Sequence, residues 1–171
     1  MQADLASSLK AAWVLGLDTY FFFLPGTWKI WTEDKLNMEE MTIVEYNKDK
    51  LTRTAEILKS VKGSAVIYVN SRGKTKDITT YLNSQGIKAD FYHAGLSAAD
   101  RNKKQSDWMQ NKIQAMVATN AFGMGIDKAD VRTVIHADLP DSPEAYYQEA
   151  GRAGRDEKNA FVVLIMPLEI I

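Results

Sequence analysis

The 171-residue chain contains no cysteine. That excludes a disulfide framework and any cysteine-ligated metal centre. It also fits a reducing compartment, so a cytoplasmic location is expected. Histidine is nearly as scarce, with only His93 and His136, which argues against a zinc site; no metal ligands are assigned. An excess of either charge is missing too. The 21 Lys and Arg oppose 22 Asp and Glu, for a net charge of −1, so any nucleic-acid binding has to come from a local groove. Long apolar runs are absent: Ala11 to Leu24 is broken by Asp18 and falls short of the roughly 20 residues that span a bilayer. It does not read as a signal peptide, because Asp4 precedes Lys10 and no small-residue cleavage pattern follows. No membrane association is expected. Repeats and low-complexity segments are also lacking.

What is present is ordinary for a globular domain: 46% hydrophobic and 25% charged residues, in a length that suits one domain with a full core. Strand and helix patterns alternate after Met41 with short connections, as a parallel sheet demands. Strands are expected at 41–46, 64–69, 88–92, 113–118, 133–137 and 161–166. Helices are expected at 48–61, at 74–85 closed by Gly86, and at 97–111, where Ser97 and Asp100 form a capping pair. Pro140 and Pro143 punctuate the start of a last helix. The fold class is α/β. Residues 1–40 are set apart by Trp13, Phe21, Phe22, Phe23, Trp28 and Trp31. Such aromatics suit a core or an interface, or a platform on which bases stack.

Two strings carry chemistry. The first is Tyr146-Tyr-Gln-Glu-Ala-Gly-Arg-Ala-Gly-Arg-Asp156. Arg152 and Arg155 are guanidiniums three apart, a side chain that grips phosphate oxygens two at a time. Gly151 and Gly154 let the backbone approach closely, and Gln148 adds an amide that both donates and accepts. The second string, Ala118-Thr-Asn-Ala-Phe-Gly-Met-Gly-Ile-Asp-Lys-Ala-Asp-Val-Arg132, follows a buried-strand pattern. It is a loop of the kind on which open α/β sheets place ligands. Basic clusters at Arg72/Lys74/Lys76, Arg101/Lys103/Lys104 and Lys128/Arg132 read as solvated faces when taken singly, with the first the best placed beside a strand end.

With Ala65-Val-Ile-Tyr-Val-Asn-Ser-Arg72 and Tyr92-His-Ala-Gly-Leu96 upstream, these strings resemble, in order, motif IV, the histidine-glycine segment, motif V and motif VI of RecQ-type superfamily 2 DNA helicases. The resemblance runs from about Met41 to about Pro167 and covers the second, C-terminal RecA-like lobe. It implies a RecA-like parallel sheet flanked by helices over 41–171, with 1–40 unassigned. It implies Arg155 as an arginine finger on the γ-phosphate of ATP, Arg152 as its partner, and Gln148 as a coupling residue. Gly125 and Asp127 are implied to meet the nucleotide, Asp127 at the ribose; the plainer reading of Asp127 is a turn former. Asn70, Ser71, Arg72, Thr119 and Asn120 are implied contacts to single-stranded DNA, and His93 and Gly95 further ones. His93 taken alone reads as a satisfied structural histidine. Phe122 and Met124 read as packing under the motif V loop. Glu157 stands where the family commonly has glycine and is expected to face solvent.

An ATPase of this kind also needs a Gly-x-x-x-x-Gly-Lys-Ser/Thr loop and an acidic motif that holds Mg²⁺. Gly73-Lys-Thr75 invites that reading, but the first glycine of the pattern would fall on Tyr68, and no Asp-Glu-x-His or Asp-Glu-Ala-Asp string occurs. ATP and Mg²⁺ are therefore expected to be held by a first RecA-like lobe, in the full-length enzyme or a partner chain. The chain alone is expected to be inactive. The alternative is a stand-alone nucleic-acid or partner-binding lobe without ATPase activity, the aromatic N-terminus serving as its interface.

Overall fold

The computed structural model describes residues 19–24, 27–32, 40–46, 49–123 and 126–166, the first three ranges by their backbone alone. Among the described residues eight strands form one sheet: β1 (Thr19–Leu24), β2 (Thr27–Thr32), β3 (Glu40–Tyr46), β4 (Ser64–Tyr68), β5 (Ala89–Tyr92), β6 (Ala115–Ala118), β7 (Val131–His136) and β8 (Ala160–Met166), in the order β1-β2-β3-β8-β7-β4-β6-β5. From β3 to β5 every neighbouring pair is parallel. The fold is the RecA-like α/β layer arrangement. β1 and β2 fall in the aromatic-rich segment and add to the β3 edge in antiparallel pairing.

A parallel strand buried on both faces needs apolar side chains at every position, and β4 shows how they divide. Val66 and Tyr68 point into one core with Met116, Val134, Leu164, Trp108 and Tyr146. Ala65 and Ile67 point into the other, with Ala55, Leu58, Ile78, Leu82, Val117 and Ile135. Helices α1 (Lys50–Ser60) and α2 (Arg72–Ser84) thus cover one face. The other is covered by α3 (Ala98–Met109) and α4 (Pro143–Ala150). Among the described residues no helix is long and apolar enough to cross a membrane.

Each helix starts where a side chain caps it. Ser97 accepts from the Asp100 N–H at 3.0 Å and donates its hydroxyl to the Asp100 carboxylate at 2.7 Å, so the expected pair meets, the acid bonding the Ser97 hydroxyl where a full capping box uses the backbone N–H. Ser142 caps α4 with Pro143 at the first turn. Helix α2 departs from expectation. Its cap is Ser71, which accepts from Lys74 N–H, so the helix begins two residues earlier than the sequence pattern indicated. Arg72 and Gly73 are therefore in its first turn, and Gly73-Lys-Thr75 is helix rather than a phosphate-cradling loop. Gly86, at φ 78°, closes α2 in the left-handed conformation.

Glu157 takes φ 63° and is exposed. This is the left-handed region, where a side chain is disfavoured, and it explains why glycine suits the position. Glu157→Gly is expected to raise the unfolding free energy by about 1 kcal/mol, read as a higher denaturant midpoint with an unchanged slope.

Candidate functional site

The arginine turn leaves α4 at Gly151 and is sewn by its backbone to the loop that enters β7. Gly154 N–H donates to Val131 O at 3.0 Å, and Asp156 N–H donates to Ala129 O at 3.2 Å. Arg132 adds an ion pair to Asp156 and a 3.1 Å bond to Asn159 O. This lacing brings Asp127, Arg152 and Arg155 to one ledge. Arg155 Nη1 meets Asp127 Oδ1 at 2.9 Å in an exposed ion pair, while its Nε donates to Gly151 O at 3.1 Å.

Arg152 is differently placed. Its guanidinium lies against Gly123, where a Cβ would come within 2.2 Å of Nη2 at a backbone φ of 139°. Only glycine fits that approach. Nη1 reaches Ile126 O at 3.4 Å, and Nε is buried without a partner among the described residues. Gln148 is exposed on α4. Gly125 and Met124 lie outside the described residues.

The second group gathers at the carboxyl ends of four adjacent parallel strands, the edge where such sheets take ligands. After β4, Asn70 donates from its backbone to Asp138 Oδ2 at 3.0 Å and from its amide to Leu139 O at 2.9 Å. After β6 come half-buried Thr119 and exposed Asn120. Asn70, Thr119, Asn120, Asp138 and Glu149 share a cavity of about 40 Å³ with Tyr68. Farther along, Arg72 lies over the Gly95 backbone. A Cβ on that glycine would be 2.8 Å from Arg72 Nη1 and 3.3 Å from His93 Nδ1, so the three candidates form one patch. Among the described residues the Arg72 guanidinium has no hydrogen-bond acceptor, so it is available to an anion.

His93 is only 7% exposed, and neither ring nitrogen has a hydrogen-bond partner; it is not the satisfied histidine its sequence setting suggested. Burial first, then the nearby charges of Arg72 and Lys76, with Lys104 adding a smaller push, hold its pKa below the ordinary 6.5. The unfolded chain therefore takes up this proton at higher pH than the folded protein. The stability linked to His93 is present above about pH 6.5 and is lost as pH falls toward the folded value. His93→Gln should flatten that limb, read from urea midpoints between about pH 5 and 7.5. An unchanged slope would contradict it.

One lysine of each basic cluster is committed to the fold. Lys74 binds Asp138 at 2.8 Å. Burial pushes the Asp138 carboxyl up, but the Lys74 bond, the Asn70 N–H and the charge of Lys50 outweigh it and hold the pKa below the usual carboxylate value. Lys128 is 6% exposed, bonded to Met109 O, Asn111 and Asp130, and lies over the Trp108 ring. Lys104 is paired with Asp90.

The sequence reading passed over a buried polar node between the two groups. His136 Nε2 meets Glu149 Oε2 at 3.0 Å, and the His136 ring lies 5.6 Å from Tyr68 and 5.2 Å from Tyr146. The one signal for it was that half of the chain's histidine sits inside an apolar strand. A buried polar ring needs a partner.

Comparison with known proteins accords with this geometry. Residues 49–157 match the family described as the helicase conserved C-terminal domain. The ATP-dependent DNA helicase RecQ of Haemophilus influenzae is 46% identical over 123 residues, which cover 72% of this chain and 20% of that protein. A putative ATP-dependent DNA helicase Q1 of Caenorhabditis elegans is 48% identical over 116 residues, covering 65% and 18%. Among solved structures, a DEAD box protein from Methanococcus jannaschii matches with a TM-score of 0.68 at 28% identity, over 80% of this chain and 40% of that one. A Saccharomyces cerevisiae Dbp5 structure matches with a TM-score of 0.69 at 22% identity, over 74% and 35%, a likeness of fold alone. The chain spans about a fifth of the length of the curated relatives it matches. With its strand order, its motifs and these matches in agreement, the chain belongs to the helicase conserved C-terminal domain family, as a second RecA-like lobe of RecQ type.

Proposed function

We propose that this lobe is the second motor half of an ATP-dependent DNA helicase, supplying an arginine finger and contacts to single-stranded DNA, and that it is inactive without a first lobe. The observation that carries the reading is the ledge on which Asp127, Arg152 and Arg155 meet, joined through one short loop to Thr119 and Asn120. ATP would lie between the lobes, with Mg²⁺ held on the opposite side by residues this sequence lacks. The nucleotide supplies the phosphoryl group whose transfer drives motion.

The residues present suit that ligand. Arg155 is exposed, and besides the bond from Nε to Gly151 O its guanidinium is held by the Asp127 carboxylate, so its Nη groups can turn from Asp127 to a terminal phosphate. Asp127, once released, is an acceptor for a ribose hydroxyl. Arg152 holds the ledge from below. Gln148, exposed one turn before the arginines, would bridge the cleft toward the DNA side, and Gly125 would lend its backbone to the nucleotide. Asn70, Ser71, Arg72, His93, Gly95, Thr119 and Asn120 would bind the strand through its phosphates. Hydroxyl, amide and guanidinium groups at strand ends hold a backbone without reading sequence. The cytoplasm is the proposed location.

The test is ATP hydrolysis with Mg²⁺ and an oligothymidylate. The chain alone should show no DNA-stimulated turnover. Fused behind the first lobe of the Haemophilus influenzae relative, it should restore turnover that requires Arg155. DNA-stimulated hydrolysis by the chain alone, abolished by Arg155→Ala, would overturn the claim that the phosphate-cradling half lies elsewhere.

A further inference from the structure

We propose that Glu149, held by His136, is a positioning residue that conveys occupancy of the strand-end cavity to Arg152 and the turn beyond it. The proposal rests on the functional reading above and adds a route between its two sites.

The route is physical contact at each step. Glu149 is 8% exposed and lines the cavity beside Asn70, Thr119 and Asn120. Its Oε2 is fixed by His136 Nε2 at 3.0 Å. An N–H at Nε2 facing this carboxylate leaves only the Nδ1 lone pair of His136 unpaired, a cheaper defect than a buried N–H without an acceptor. His136 is fully buried and its ring is stacked on Tyr68 at an interplanar angle of 21°. The Tyr68 hydroxyl donates to Phe122 O at 3.1 Å. Burial pushes the Tyr68 phenol up, and the charge of Arg152 pulls it back while that of Glu149 adds to the rise. The residue after Phe122 is Gly123, against whose backbone the Arg152 guanidinium lies, and this completes the route.

Nothing in the arginine chemistry itself requires this node, and a buried carboxylate is expensive unless paired. Its place explains the expense. Glu149 is two residues before Gly151, so a shift of its carboxylate moves the end of α4 from which Arg152 and Arg155 project. A strand bound at Asn70, Thr119 and Asn120 changes the polar groups around the free side of that carboxylate. Dense packing passes such displacements on rather than absorbing them.

The experiment uses the full chain with an oligothymidylate, following the Arg152 and Arg155 side-chain Nε–H resonances by NMR. In the unaltered chain both resonances should shift as the oligonucleotide saturates. In Glu149→Ala, compared with the parent at saturating oligonucleotide so that any change in affinity drops out, most of the shift should be lost. His136→Phe keeps a ring between Tyr68 and Tyr146 but removes the N–H, and should behave like Glu149→Ala. Glu149→Gln keeps an acceptor oxygen for His136 and should retain most of the response. Equal shifts in all four folded proteins would overturn the positioning role and leave the DNA-binding reading intact. An unaltered chain that fails to bind the oligonucleotide would overturn the reading itself, and the route with it.

Discussion

Arg155→Ala in a two-lobe protein is expected to slow ATP turnover about 10³- to 10⁵-fold, the range over which arginine fingers act. That corresponds to about 4–7 kcal/mol of transition-state stabilisation. The side chain is suited to such a selective effect. It is exposed, its ionic partner among the described residues is Asp127, and its Nε bonds to a backbone carbonyl of its own turn. An exposed ion pair contributes at most about 1 kcal/mol to folding, so the variant should melt close to the parent. Affinity for single-stranded DNA should hold, since Arg155 lies apart from the strand-end residues proposed to bind the DNA. Arg152→Ala offers the contrast. That guanidinium is wedged against Gly123 with Nε buried, so its loss should lower both turnover and stability. Single-turnover hydrolysis together with thermal melting separates the two. Turnover by Arg155→Ala within tenfold of the parent would remove it from the role of finger.

Trp108→Ala is expected to reduce the unfolding free energy by about 3–5 kcal/mol, the usual cost of removing a buried aromatic. Trp108 is 1% exposed and packs edge-on against Phe122 with centroids 5.3 Å apart. Its indole N–H donates to Ala65 O at 3.1 Å, tying α3 to the central strand β4. The ring also lies beneath the Lys128 ammonium, 5.5 Å from Nζ. The cavity would open under Phe122, in the loop that carries Thr119, Asn120 and Asp127, so nucleic-acid binding should weaken with stability. Trp108→Phe keeps most of the packing and loses the N–H, and should cost about 1–2 kcal/mol. Urea midpoints at constant slope measure both. A loss under 1 kcal/mol for Trp108→Ala would mean that this core closes around the gap.

Six of the eight strands were legible because buried parallel strands are written as apolar runs, and 113–118 or 161–166 admit little else. Helix starts were legible where the cap is unambiguous, as at Ser97. The start of α2 was not, because Gly73 falls inside the first turn and argues locally against a helix that Ser71 nevertheless nucleates. β1 and β2 were missed because aromatic density suits a strand and a loop interface equally.

The site divides along the same line. Arg152, Arg155 and Asp127 were nameable from their strings, but the Asp127–Arg155 pair spans 28 residues and no local pattern encodes it. Lys128 shows the opposite failure. A lysine in a charged loop reads as solvated, yet the carbonyl at the end of α3 and the Asn111 side chain draw it inward. The His136–Glu149 contact joins a strand to a helix and becomes visible only once the sheet is ordered.

The contact between Asp127 and Arg155 has a consequence for selectivity. The guanidinium carries its own counter-ion, so any phosphate that reaches it displaces a carboxylate first. At up to about 1 kcal/mol, that toll is roughly a fivefold penalty on every anion. Inorganic phosphate, which meets Arg155 alone, bears the penalty in full. In the proposed two-lobe enzyme a nucleotide gripped from the facing lobe would escape it, because the displaced Asp127 would find a sugar hydroxyl to accept from. On that proposal, a pair too weak to matter for folding would set a threshold that small abundant anions fail and the nucleotide passes.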